Sequence, residues 1–254
     1  MRVCRYSFLL WLLTTACARA APLEVAADEW CPFNCQPDAA MPGYVIEVLK
    51  AVFVQEGINY RVLPWKRAVL QTQKGISAAA IGATQEIAAA EQLQIGQEPV
   101  GQSPDCLYVA AGNPLKYQGK ANDLNSLNRV GIALGYDYDE GFGEWLAREV
   151  NKPKIFFASG DQPAASNLRK LTAGSLDGMI EAKAVMDYLL LNARLAKPVV
   201  SAGCNTAIPI YVAFGPKGSA GDGLVERFDQ GMIALRSSGR LAEILAKYGV
   251  KDWK

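Results

Sequence analysis

The chain has no histidine among its 254 residues. That excludes Ser-His-Asp and Cys-His catalysis and every His-ligated metal site. Any enzymatic chemistry would have to rest on carboxylates, lysines, tyrosines or a cofactor. An excess of charge is missing too, with 26 Lys and Arg against 25 Asp and Glu. Nucleic-acid binders normally carry a basic surplus, so no nucleic-acid partner is expected. No glycine-rich phosphate loop occurs, and no cofactor is expected. Long apolar runs are scarce. Beyond the first twenty residues none is continuous enough to cross a bilayer core, which takes ~20 residues.

What is present begins with MRVCRYSFLLWLLTTACARA. Arg2 and Arg5 are followed by the apolar run Phe8 to Leu13 and by the small-x-small site Ala18-Arg19-Ala20. This pattern is a secretory signal peptide, residues 1–20, and places the mature chain outside the cytoplasm. The run is too short for a membrane anchor. Thr14-Thr15-Ala16-Cys17 loosely matches a lipid-attachment box, with Thr14 where Leu or Val is preferred, so a lipidated Cys17 is the alternative. Removing 20 of 254 residues leaves 234, enough for one large or two modest domains. Three arginines leave with the signal, so 23 basic residues face 25 acidic ones and the mature net charge is −2.

Four cysteines remain: Cys31, Cys35, Cys106 and Cys204. An even count in an exported chain points to disulfides. A bridge between Cys31 and Cys35 would close the Pro-containing loop between them and stiffen it locally. The spacing does not form two C-x-x-C pairs, so no metal site is expected.

Leu23 to Ala27 is short, apolar and β-prone. Val45, Val48, Leu49, Val52 and Phe53 recur at helical spacing, with Gly57 where a C-terminal cap belongs. Ile58 to Leu63 reads as a strand, a helix follows from about Lys66 to Gly75, and Ala78 to Ile81 is a buried strand. This β-α-β-α-β order implies a mostly parallel sheet with helices on its faces. It restarts with a strand at Arg129 to Ala133 and a helix marked by Phe142, Trp145, Leu146 and Val150. A strand at Ile155 to Ala158, a helix at Pro163 to Leu171 and a strand at Leu176 to Ile180 follow. Cys106 to Ala111 and Ile208 to Phe214 are further strand candidates, and two amphipathic helices close the chain. Lys74 to Gly82 parallels Ala173 to Glu181, each with a helix-stopping glycine before a short strand. Gly82 and Glu181 then end equivalent strands, beyond which ligands bind in open α/β sheets. One continuous sheet with a chance echo is the alternative.

The chain resembles bacterial extracellular solute-binding proteins of family 3, the group that includes polar amino-acid receptors of ABC importers. The residues that carry the likeness include Glu29-Trp30-Cys31-Pro32-Phe33, Gly43-Tyr44-Val45-Ile46-Glu47 and Pro64-Trp65-Lys66-Arg67-Ala68. In the other half they are Gly135-Tyr136-Asp137-Tyr138, Leu176-Asp177-Gly178-Met179-Ile180-Glu181 and Leu235-Arg236-Ser237-Ser238-Gly239. The resemblance implies an α/β, two-lobed, periplasmic-binding-protein-like (type II) clamshell with two hinge strands. Residues 21–112 plus 209–254 would form one lobe and 113–208 the other, with Cys106 to Ala111 and Ile208 to Phe214 leading through the hinge. Whether Cys106 and Cys204 pair across those strands stays open. It further implies a monomer in the periplasm that takes a small-molecule ligand and docks a membrane permease or a sensor kinase.

The departures bear on the ligand. Receptors of this family usually place an arginine three residues after the threonine that ends the third strand, where it grips a ligand carboxylate. Here Thr84-Gln85-Glu86-Ile87 puts Ile87 there, which argues against a standard α-amino acid. Arg67, at a helix start, is the candidate substitute; an ordinary ion pair is its other reading. Trp30 and Trp65 either stack on ligand or pack their lobe. Gly82 and Thr84 sit at a strand end with free backbone N–H groups nearby. Tyr136 precedes a helix start, where Asp137, Asp139 and Glu140 would either cap the helix or crowd the site. Glu181 is the candidate acceptor for a ligand cation, or else a surface carboxylate.

Two functions follow. One is a non-enzymatic receptor for a small polar or cationic solute, with no catalytic residue. The alternative is a periplasmic dehydratase of the arogenate or prephenate type with Glu181 as general acid. Cleavage is expected between Ala20 and Ala21. Intact-mass measurement of exported protein should show Ala21 as its first residue, and a diacylated Cys17 at the N-terminus would contradict this.

Overall fold

Ala79, Ala80 and Ile81 have no polar neighbour to turn towards water, and each is at most 1% exposed. Such a run fits a strand covered on both faces, the usual state of parallel sheets. The computed structural model describes residues 21–254 apart from Ala196 and Ala220. The expected signal peptide and Cys17 lie outside the described residues.

The first sheet contains β1 (Leu23–Ala27), β2 (Ile58–Val62), β3 (Ala79–Ala83), β4 (Gly101–Ser103) and β10 (Ile208–Phe214), in the order β2-β1-β3-β10-β4. The second contains β5 (Asp105–Ala110), β6 (Val130–Ala133), β7 (Ile155–Ala158), β8 (Gly178–Ala182) and β9 (Val199–Cys204), in the order β7-β6-β8-β5-β9. The two orders are the same. Each has three parallel strands, then an antiparallel strand, then an edge strand antiparallel to that one. Val25 faces Ala79 as Val130 faces Gly178. The echo in the sequence is therefore structural, and Gly82 and Glu181 occupy matching places on β3 and β8.

β4 runs into β5 through Pro104, and β9 runs into β10 between Cys204 and Ile208. The chain therefore changes sheet twice, and each sheet receives its antiparallel strand at a change. β5 bonds only to β8 and β9, so the first change precedes the expected division after residue 112.

Helices α1 (Tyr44–Val52), α2 (Trp65–Gln73), α3 (Gln85–Ala90), α7 (Leu224–Ser237) and α8 (Arg240–Lys247) accompany the first sheet. Helices α4 (Glu140–Ala147), α5 (Pro163–Thr172) and α6 (Lys183–Asn192) accompany the second. α1 buries Val45, Ile46, Val48 and Leu49 against Phe214, Phe228 and Leu241. It begins at Gly43, with φ 106°, where a Cβ would lie 2.4 Å from the Phe33 carbonyl oxygen, so only glycine fits. Two expectations needed revision. Val150 is 74% exposed in a 3-10 segment, because the helix carrying Phe142 and Trp145 stops at Ala147. The short strands β4 and β9 and the helices α3 and α6 were not anticipated. β4 is the three-residue Gly-Gln-Ser, too short to show a period. No described helix is long and apolar enough to cross a membrane.

Both candidate disulfides are present, Cys31–Cys35 and Cys106–Cys204. Cys106 and Cys204 are register partners on β5 and β9, next to the points where the chain changes sheet. The bridges span 4 and 98 residues. Chain entropy then makes the longer loop the more stabilising, by about 3 kcal/mol. Replacing Cys106 and Cys204 together with Ser should lower unfolding free energy in urea more than replacing Cys31 and Cys35. Equal losses would show that loop entropy does not govern this protein.

Candidate functional site

The carboxyl ends of the parallel strands from both sheets point at one crevice. From the first sheet come Asp28 and Trp30 after β1, Trp65 at the start of α2, and Gly82 and Thr84 at the end of β3. From the second come Gly135, Tyr136 and Asp137 after β6, and Glu181 and Ala182 at the end of β8. Ser103, Asp105, Ile208 and Ile210 close the crevice from the strands beside the two changes of sheet. The cavity between them measures about 40 Å³, room for a few water-sized groups.

Side chains bond across the crevice. The Trp30 indole Nε1 donates to Glu181 Oε1 at 2.9 Å. The Tyr136 hydroxyl donates to Asp28 Oδ2 at 2.7 Å. Trp65 Nε1 donates to the Gly135 carbonyl at 3.1 Å, and Gln162 Nε2 to Glu29 Oε2 at 2.8 Å. The Thr84 hydroxyl reaches Asp137 Oδ2 at 3.5 Å and accepts from the Ile87 amide, so it also caps α3. Trp30 stacks on Phe33, with centroids 4.3 Å apart, which fixes the indole plane.

The site is acidic. Asp28 and Glu181 are each 2% exposed. Desolvation pushes Asp28 up to about 7 against the Tyr136 hydrogen bond that lowers it, and Glu181 and Asp161 raise it further. Desolvation likewise pushes Glu181 up to about 7, opposed by the Trp30 indole and the Ala182 amide. The half-buried Asp105 is raised well above the usual carboxylate range by desolvation and then by Glu181, Asp139 and Asp137. At the mouth, desolvation and then Glu86 and Asp139 raise the exposed Asp137.

Of the residues singled out in the sequence, Trp30, Trp65, Gly82, Thr84 and Tyr136 line the cavity. Glu181 does not. It sits behind Trp30, whose indole takes one of its oxygens. Arg67 is exposed and outside the lining, because α2 buries Trp65, Ala68 and Val69 and turns Arg67 to solvent. Asp139 and Glu140 do not cap α4 with their side chains. They accept instead from Asn205 Nδ2 and the Thr206 amide. Asp28 and Asp105 were missed. Asp28 directly follows β1, and Asp105 opens β5 ahead of five apolar residues. Among the described residues no group of three or more His, Cys, Asp or Glu could hold a metal ion.

No family model and no curated protein matches the chain. Solved structures do. A histidine kinase sensor domain with similarity to periplasmic binding proteins matches at TM-score 0.72 and 21% identity, over 91% of this chain and 96% of its own. The arginine-, lysine-, histidine-binding protein ArtJ from Geobacillus stearothermophilus matches at 0.72 and 18%, over 91% and 97%. A putative L-cystine ABC transporter from Listeria monocytogenes matches at 0.70 and 14%, over 90% and 96%. The chain therefore has the two-lobed α/β fold of periplasmic binding proteins.

The buried acids set a pH dependence. From the ordinary carboxylate range up to about 7, folded Asp28 and Glu181 hold protons that the unfolded chain has lost. Stability should therefore fall as pH rises from 5 to 8, by roughly 5 kcal/mol. Glu98, Asp177 and Asp252 are shifted down, so their losses come only at lower pH. Urea unfolding of the ligand-free protein at both pH values measures this, and Glu181→Gln with Asp28→Asn should flatten the slope. Stability rising over this range in the native protein would contradict the assignment.

Proposed function

We propose that this chain is a periplasmic solute receptor of the family 3 kind. It captures a small polar or cationic ligand between its lobes and presents the closed form to an ABC-type permease or a sensor kinase. The observation that carries this reading is the cavity at the strand ends of two matching sheets, bridged by side-chain hydrogen bonds from one sheet to the other. The lobes, residues 21–103 plus 208–254 and 105–204 in outline, would turn about the strand changes at Pro104 and between Cys204 and Ile208. Ligand then acts by shifting a population from open to closed. Transport and sensing neighbours both occur among the similar structures, which supports a small-solute receptor with either partner.

In this arrangement Glu181 acts by holding the Trp30 wall in place when the lobes shut. The dehydratase alternative needs its carboxyl to reach a substrate, but the Trp30 indole covers it and it does not border the cavity.

Protein isolated from the periplasm without denaturation is expected to release a defined low-mass solute on unfolding, identified by mass spectrometry. Returning that solute to stripped protein should compact it in small-angle X-ray scattering. Glu181→Ala, which leaves the buried Trp30 indole without its acceptor, should weaken rebinding by roughly tenfold. Chemical conversion of the solute by the native protein would move the assignment to an enzyme. No retained solute, and no compaction with any fraction of a periplasmic extract, would remove the receptor reading.

A further inference from the structure

Charge around the cavity is one-sided. Asp28, Asp105 and Asp137 line it, and no Lys or Arg among the described residues does. The leading charges on these three are carboxylates: Glu181 and Asp161 on Asp28, Glu181, Asp139 and Asp137 on Asp105, Glu86 and Asp139 on Asp137. Lys66 and Arg67, on the adjoining helix, are exposed and outside the lining. A ligand carboxylate entering this space would find no cation among the lining residues to answer it and would oppose ionisation of the acids, whereas a cation would favour it.

The hydrogen bonding is incomplete in the same place. Asp28 is 2% exposed and takes the Tyr136 hydroxyl on one oxygen. Its other oxygen receives nothing from another residue among those described, and the residue borders the cavity. The Asp105 carboxylate, half-buried, receives no hydrogen bond from the described residues. Buried acceptors normally have partners, and a buried carboxylate without one is strongly disfavoured. A ligand that carries positive charge or several donors would complete both groups.

The walls fit the same ligand. Trp30 and Trp65 each meet Tyr136 at 6.3 Å between centroids and 84° between planes. Three rings therefore form two corners of the cavity, and Ile81, Ile87 and Ile208 supply apolar surface. Aromatic faces attract cations, and cages of this kind suit methylated ammonium groups. Ile87 can accept methyl groups but offers no charge to a carboxylate.

We infer that the cleft takes a small organic cation without a carboxylate, an amine or a methylated ammonium, seated among Trp30, Tyr136 and Trp65 with its charge on Asp28 and Asp105. This rests on the receptor reading above and narrows its ligand class.

Matched pairs that differ by a carboxylate test it. Stripped protein is titrated, with tryptophan fluorescence as the readout, using tetramethylammonium against trimethylglycine, ethanolamine against serine, and agmatine against arginine. In at least one pair the amine should bind at least tenfold tighter than the acid, and in no pair should the acid bind tighter. Asp105→Asn should weaken the best amine at least tenfold while circular dichroism stays unchanged. If that variant does not fold, the pairs on the native protein decide alone. Binding of an acid as tight as its amine, or no binding by any of the three amines, would overturn the inference. A carboxylate-bearing solute retained by the purified protein would overturn it too, yet leave the receptor reading standing. Absence of any retained solute would instead count against the receptor reading itself.

Discussion

Two carboxylates, each desolvated by the opposite lobe, govern this structure. Asp28 follows a strand of the first sheet and takes its hydrogen bond from Tyr136 of the second. Glu181 ends a strand of the second sheet and takes its bond from Trp30 of the first. The exchange is reciprocal. Moving the sheets apart would return both acids to water and leave both donors free. Bringing them together removes water from two acids and supplies one cross-lobe donor to each. Closure without a ligand is therefore favoured when the acids are protonated and opposed when they are ionised. A cation in the cavity would offset the same penalty by another route, and this couples charge recognition to lobe closure.

The framework around that contact suits the opening and closing proposed for the crevice. Each sheet is a complete five-stranded unit, and only two short stretches pass between them. Cys106 and Cys204 tie β5 to β9 on the second-sheet side of both passages. The crossings thus stay side by side, as a pair of adjacent pivots requires. The other bridge, Cys31–Cys35, sits in the turn that carries Trp30, where Trp30 and Asn34 also form a backbone bridge. With Phe33 stacked beneath it, the indole is held from three directions before it meets Glu181. A wall preorganised in this way loses little further freedom on binding.

Within the proposed receptor, position and chemistry separate. The strand ends that meet at the crevice follow from the fold and are shared with structures that bind different solutes. The acids and aromatic rings that occupy those ends belong to this chain. Ile87 in the first turn of α3 and the outward turn of Arg67 both leave the cavity without positive charge. The fold therefore supplies a place for a ligand, and the side chains select its charge.

Much of the fold was legible because its signals are local. Apolar strands such as Ala79 to Ile81, the helical spacing of Val45, Val48 and Leu49, and the matched glycine-strand segments need only neighbouring residues to be read. The same reasoning found Trp30, Trp65, Gly82, Thr84 and Tyr136, since each stands at a strand end or helix start. It failed where direction or distant burial decided. Arg67 turns outward because its helix buries other positions, and Glu181 is covered by an indole 151 residues away. Asp28 and Asp105 look like ordinary surface acids in the sequence. They lose water and run short of partners only when the two sheets meet, because desolvation is a property of the assembled cleft and not of the residue.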